Sequence, residues 1–205
     1  MYYILLLLIC NLVPALGDCR IRPDANGNVL IPDSWGTIPT SAFYDCSTLK
    51  SVTFANNSVL KYIGYQAFDR CFSLATVTFP SNSAVESIHG SAFSRNTALT
   101  AITVPSTVKF IGPNAFGSCY KLASVTFPSN SVLESIGSTA FQATALTAIT
   151  IPSTVKVIYQ YAFRGSSKLT TVMFPSNSVL ETIGHEAFVG TPLIAIGQCL
   201  TIPDS

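Results

Sequence analysis

Residues 99–119 read LTAITVPSTVKFIGPNAFGSC, and variants of this string fill most of the 205-residue chain. The dipeptide Ala-Phe marks each copy, with its Phe at 43, 68, 93, 116, 141, 163 and 188. Successive copies are spaced by 25, 25, 23, 25, 22 and 25 residues. Self-similarity at a period of about 20–50 residues signals a stacked-repeat architecture, because a unit this small cannot bury its own apolar face and must lie on its neighbours.

Each copy has the same internal logic. Val52 and Phe54 alternate with Ser51 and Thr53, the period-two pattern of a strand with one buried face. A Pro commonly comes next, as at Pro80, Pro105, Pro128, Pro152 and Pro175, and its missing N–H ends the ladder. A second extended piece turns residues such as Val108 and Ile111 inward. A Gly after that Ile, at 64, 112, 137 and 184, suits a tight bend. Ala-Phe is then expected to plug the interior from a short helical turn. Loop length varies between Pro-Ser-Asn-Ser (Pro80 to Ser83, Pro128 to Ser131) and Pro-Ser-Thr (Pro105 to Thr107, Pro152 to Thr154). Residues beyond the loop keep a fixed offset from the Phe, so the variation is expected to stay outside the packed core. The fold class expected is an α/β-type repeat solenoid of about seven turns, with short stacked parallel β-strands and short helical turns. At a strand spacing of about 4.8 Å, seven turns make a rod roughly 30–35 Å long.

The pattern Leu-x-x-Ile-x-Ile-Pro…Ile-Gly-x-x-Ala-Phe-x-x-Cys resembles the BspA-like leucine-rich repeat, and Leu99 to Cys119 fits it at nearly every position. The resemblance spans about residues 29 to 196. It implies a secreted or cell-surface protein that mediates adhesion or protein–protein binding; it identifies no ligand. The organisation expected is a signal peptide at 1–17, an N-terminal cap and partial repeat at 18–40, repeats at 41–192 and an irregular C-terminal turn at 193–205. The phase is lost at Leu193 to Cys199, and the sequence ends mid-repeat at Ile-Pro-Asp-Ser. Gln198 to Ser205 is therefore expected either to fold back as a cap or to leave an end open to end-to-end association, unless the sequence is incomplete.

The leader rests on Tyr3 to Val13, almost wholly apolar, followed by Ala15 and Gly17 at signal-peptidase spacing, with the cut placed before Asp18. The run is shorter than the roughly 20 residues a membrane span needs. The reading is therefore a protein exported to the extracellular space or cell surface, with no membrane insertion after leader removal. Net charge is +1 and charged residues make up only 10%, which gives no electrostatic footprint for nucleic acid or an anionic bilayer. Protein or a host or matrix surface is the partner class expected.

Chemistry-bearing constellations are sparse. Cys46, Cys71 and Cys119 share one repeat column with Asn96, Thr144, Ser166 and Thr191, which reads as a buried, weakly polar ladder. Cys19 and Cys199, outside the column, are the reactive candidates. Five cysteines remain after leader removal, so at least one stays free or pairs between chains. No paired Cys-x-x-Cys, nucleophile elbow or phosphate loop occurs, and His89 and His185 lie four turns apart. No catalysis, metal or cofactor is expected. The outward strand positions Ser51, Thr53, Thr76, Thr78, Thr103, Ser124, Thr126, Thr150 and Thr171 are the expected ligand-binding surface, with the loops or aromatics such as Tyr62, Phe110 and Tyr159 as the alternative. The same Thr column leaves open a structural or ice-binding solenoid, although Met173 interrupts it. Asn56 in Asn56-Asn57-Ser58 is either an N-glycosylation acceptor or a turn residue. Finally, seven residues before each Phe stand Lys61, Glu86, Lys109, Glu134, Lys156 and Glu181, alternating in sign through six turns. Stacking would place them in one column.

Overall fold

The computed structural model describes Cys19 and residues 21–197. The expected signal peptide at 1–17, Cys199 and the final Ile-Pro-Asp-Ser lie outside these. The described chain is a winding of coils, each contributing one strand to each of two parallel faces. On the first face lie β1 (Asn28–Ile31), β3 (Ser51–Phe54), β5 (Thr76–Thr78), β7 (Ala101–Thr103), β9 (Ser124–Thr126), β11 (Ala148–Thr150), β13 (Thr171–Met173) and β15 (Ala195–Gly197). The second face carries the two-residue strands β2 (Thr37–Ile38), β4 (Tyr62–Ile63), β6 (Ser87–Ile88), β8 (Phe110–Ile111), β10 (Ser135–Ile136), β12 (Val157–Ile158) and β14 (Thr182–Ile183). Coils are numbered by their second-face strand, so coil 1 holds β2 and coil 7 holds β14. Strand β1 pairs with β3, so both strands of coil 1 lie upstream of residue 41, and β15 pairs with β13, carrying the sheet past residue 193.

Alternation works as the pattern dictates. Val52, Val77, Ile102, Val125, Ile149 and Val172 are buried, and the inward Ile of every second-face strand except the last is buried too. The seven Ala-Phe rings form one continuous stack through the rod. Centroids are 4.9 Å apart from Phe43 to Phe68, 5.1 Å to Phe93, 5.4 Å to Phe116, 5.3 Å to Phe141, 5.4 Å to Phe163 and 5.1 Å to Phe188. Neighbouring planes are within 13° of parallel, and the first six side chains are fully buried.

The segment carrying these rings is not helical, which corrects the expected short helical turn. In all seven coils the residue two before the Phe and the residue two after it sit at positive φ. They include Ser91 (55°), Arg95 (59°), Thr139 (56°) and Ala143 (53°). The cause lies in the hydrogen bonds. A helix sends each N–H back four residues within its own chain segment. Here every second N–H instead reaches the next coil: Asn114 donates to Ser138 O, Phe116 to Ala140 O and Ser118 to Gln142 O, all at 2.8 Å. The N–H groups between them close three-residue turns, as Ala115 to Gly112 O and Gly117 to Asn114 O. The left-handed residues thus exchange local strain for a third inter-coil ladder. A left-handed conformation costs a residue with a Cβ about 1–2 kcal/mol. Ala143 shares its column with Gly165 and Gly190, both at positive φ. Ala143→Gly is accordingly expected to raise stability by about 0.5–1 kcal/mol, read as a higher urea midpoint at unchanged m-value. A loss would show that the Ala methyl packs usefully.

The Gly column after the second-face Ile has a different reason from the bend expected. Its members carry no positive φ; a Cβ on Gly137 would come within 2.6 Å of Gly112 C and 2.7 Å of Pro113 N. Close approach of stacked backbones, not turn geometry, excludes the side chain there. His89 and Tyr159 occupy the same column, each flanked by glycine in the coils above and below.

The column of small polar residues behaves as a buried ladder. Cys71 Sγ donates to Phe43 O at 3.0 Å, Cys119 Sγ to Phe93 O at 3.1 Å and Ser166 Oγ to Phe141 O at 2.9 Å, each capping a carbonyl of an earlier coil. Burial pushes both thiols up to about 12, so they stay protonated and unreactive. Asn96 sits in the same column, fully buried, without a protein partner for its amide. Cys46 departs from its column mates by joining Cys19 in a disulfide. Cys19 is therefore not a free reactive thiol; it fastens the N-terminal segment over coil 1.

Candidate binding face

The nine outward Ser and Thr positions all lie on the first face. Ser51 and Thr171 are half-buried and the other seven exposed. Register aligns Ser51 with Thr76, Thr53 with Thr78, Ser124 with Ala101, Thr103 with Thr126, and Thr150 with Met173. The structure does not gather them into one continuous sheet. The first face is split into plates β1–β3–β5, β7–β9 and β11–β13–β15, while the second face runs unbroken from β2 to β14.

Loop length explains the two seams. Coils 2, 3, 5 and 7 have long loops, and coils 1, 4 and 6 short ones. The ladder breaks at each step from a long coil to a short one, from β5 to β7 and from β9 to β11, and at no other step among the described residues. At those same steps a Thr of the short loop reaches back. The Thr107 hydroxyl donates to Val85 O at 2.7 Å, and Thr154 to Leu133 O at 2.7 Å. Long loops hold themselves, with Ser83 Oγ accepting from Val85 N–H at 3.4 Å and Ser131 Oγ from Leu133 N–H at 3.4 Å. The shortened loop is thus drawn onto the preceding coil, and the strand before it parts from its neighbour. Loop length acts on the strand pairing of the first face, while the inward Val77, Ile102, Val125 and Ile149 stay buried and the packed core is unbroken, as expected.

The first seam opens a groove of about 640 Å³. Phe79, Pro80, Pro105 and Pro128 give it apolar walls, and Thr78, Thr103 and Thr126 line it among its polar groups. Phe54 stacks on Phe79 at 4.4 Å and is buried, whereas Phe79 at the seam is half-buried. Leu30, 66% exposed and paired with Thr53, extends the same face at the N-terminal end. Neither Phe79 nor Leu30 stood out in the sequence. Phe79 directly follows β5, at the inward position that Phe54 holds within β3, and only the mismatch between successive loop lengths marks it as accessible.

Asn56 is exposed, while Ser58 of the sequon is buried and its Oγ accepts from Leu60 N–H at 3.2 Å. Among the described residues no cluster of three His, Cys, Asp or Glu side chains is placed to hold a metal ion. His89 lies against the Tyr62 ring and His185 against Tyr161, in separate coils.

The alternating charges do form one column on the second face. Glu86 N–H donates to Lys61 O, Lys109 to Glu86 O, Glu134 to Lys109 O, Lys156 to Glu134 O and Glu181 to Lys156 O. Glu86 bridges two lysines, with its Oε1 2.8 Å from Lys61 Nζ and its Oε2 3.6 Å from Lys109 Nζ. The hydrogen bond from Lys61 holds the Glu86 carboxyl below its ordinary range, and Glu86 in turn raises Lys61. Glu134→Lys puts three lysines in successive coils. A lower melting temperature is expected, with the loss shrinking at high salt because exposed charges are screened beyond about 10 Å at 0.1 M. A salt-independent loss would point to packing instead.

Solved structures share this architecture. The Treponema pallidum leucine-rich repeat protein (TpLRR) is 28% identical, with a TM-score of 0.69 over 82% of this chain and 78% of its own. A leucine-rich repeat protein from Bacteroides ovatus is 24% identical, with a TM-score of 0.56; the match covers 89% of this chain but 55% of that protein. No curated protein matches the sequence. The model of the BspA-type leucine-rich repeat region, six copies long, matches residues 25–133 and again 86–204. With the coils, the inward Phe stack and the family pattern in agreement, the chain belongs to the BspA-type leucine-rich repeat family.

Proposed function

We propose that this protein is an exported, non-catalytic binding module that engages a protein or a host or matrix surface through its first face, centred on the seam between β5 and β7. The groove there carries the reading. It sets apolar walls from Phe79 and three prolines among short hydroxyl side chains, with no charged residue in its lining. Pockets of this type use apolar contact for affinity and a few polar groups for orientation. Export rests on the apolar leader ahead of Asp18. Among the described residues no helix is long and apolar enough to cross a membrane. A glycan on Asn56 would sit in the coil 2 loop, outside the groove. An ice-binding role needs an unbroken Thr lattice, and the two seams interrupt it.

The test uses residues 18–205 as bait in host-cell and matrix extracts. A partner retained by the unaltered chain is expected to be lost by a Thr103→Lys, Thr126→Lys variant that melts as the parent does. Retention by that variant, with loss on Phe110→Ser, would move the site to the second face.

A further inference from the structure

The second face has its own design. Its outward column reads Thr37, Tyr62, Ser87, Phe110, Ser135, Val157 and Thr182, paired strand to strand in that order. Aromatic or aliphatic and hydroxyl side chains alternate through all seven coils, and the difference in size is large in coils 2 to 5, since the half-buried Val157 is no bigger than Thr182. Tyr62 is 44% and Phe110 46% exposed, so they stand as two ridges two coils apart, roughly 10 Å. The charge column beside it keeps the same phase: Lys61, Lys109 and Lys156 precede Tyr62, Phe110 and Val157, and Glu86, Glu134 and Glu181 precede the hydroxyl residues. Loop length does not set this phase, since coil 2 has a long loop yet carries Lys-Tyr where the other long coils carry Glu-Ser or Glu-Thr.

We infer that the second face is a docking surface for a second copy of this chain, with the two rods antiparallel about a two-fold axis that passes between β8 and β10. That axis sets coil 4 against coil 5, coil 3 against coil 6 and coil 2 against coil 7. Each aromatic ridge then meets a smaller residue, Phe110 on Ser135 and Tyr62 on Thr182, and Val157 meets Ser87. Every charge meets its opposite: Lys109 faces Glu134, Lys156 faces Glu86 and Lys61 faces Glu181. Shifting the register by one coil sets ridge on ridge and like charge on like, so the surface both specifies its partner and rejects neighbouring registers. A two-fold interface requires a self-complementary patch, which this alternation supplies. Each copy offers a strip roughly 30 Å by 10 Å, the scale of a weak and reversible contact, so association depends on concentration.

The test is sedimentation of residues 18–205 over a concentration series in a Cys199→Ser background. A monomer–dimer equilibrium is expected, weakened at least about tenfold by Phe110→Ser, as for a central anchor. Glu134→Lys alone is expected to weaken it, and Lys109→Glu with Glu134→Lys to restore it. That double variant restores pairing between copies while leaving like charges adjacent within each ladder, so dimer strength recovers and melting temperature does not. Ser87→Cys with Val157→Cys is expected to give a covalent dimer on mild oxidation. Within one chain these sites are three coils apart, roughly 14 Å, beyond the reach of a disulfide. Ser87→Cys with Ser135→Cys, which face each other in neither chain, is expected not to cross-link. A chain monomeric at its highest soluble concentration, a dimer indifferent to Phe110→Ser, or equal cross-linking by the two cysteine pairs overturns the inference.

Discussion

Phe116→Ala is expected to lower stability by about 3–5 kcal/mol, the largest loss from any single side chain of the rod. Phe116 is fully buried and stacked on both sides, against Phe93 at 5.4 Å and Phe141 at 5.3 Å. Truncation removes its own buried area and leaves a void between two rings held by two backbone ladders on the Phe93 side, where the first face is parted, and by three on the Phe141 side. The coils cannot close the gap without breaking inter-coil hydrogen bonds such as Phe93 N–H to Ala115 O and Phe116 N–H to Ala140 O. Phe188 is the internal control. It stacks on Phe163 and is half-buried, so Phe188→Ala is expected to cost less than half as much. Equal urea midpoints for the two variants would contradict a continuous stacked core. Phe43 also has one ring neighbour but is fully buried, so its loss is expected to fall between the two.

Removing the Cys19–Cys46 disulfide is expected to lower stability by about 3–4 kcal/mol, the chain-entropy value for a closed loop of this size. The bridge joins cysteines 27 residues apart, and it ties the segment before β1 to the buried column beneath coil 1. The result has a built-in check. Reductant should lower the melting temperature of the parent chain by as much as Cys19→Ser with Cys46→Ser does, and should leave that variant unchanged. Cys71 and Cys119 supply no competing redox response, because burial holds them as thiols. A parent chain insensitive to reductant would mean that the bridge restrains nothing the folded coils do not already restrain.

Much of the molecule was legible because a repeat writes its fold many times over. The period, the inward Val, Ile and Phe, the outward Ser and Thr, the small polar column and the alternating charge column are set by residue order within one copy. Adjacency between copies then comes from stacking alone. Such features depend on local chemistry and on a near-constant offset from each Phe, both present in the one-dimensional chain.

What tertiary structure decided lies between coils. From sequence alone the Ala-Phe segment is expected to form a short helical turn, yet inter-coil acceptors at Ser138, Ala140 and Gln142 draw its alternate N–H groups outward and force left-handed residues. The seams of the first face, and with them the groove at Phe79, arise from the difference in length between one loop and the next, a quantity that no single copy contains. Cys46 shares its column with Cys71 and Cys119, and only the proximity of Cys19 to the first coil selects it for the bridge. The sequence by itself determined the repeating coil and the faces it presents. The closure of that coil against its neighbours decided where the sheet opens, which backbone ladder replaces a helix and which cysteines meet, because each depends on distances set by two coils at once.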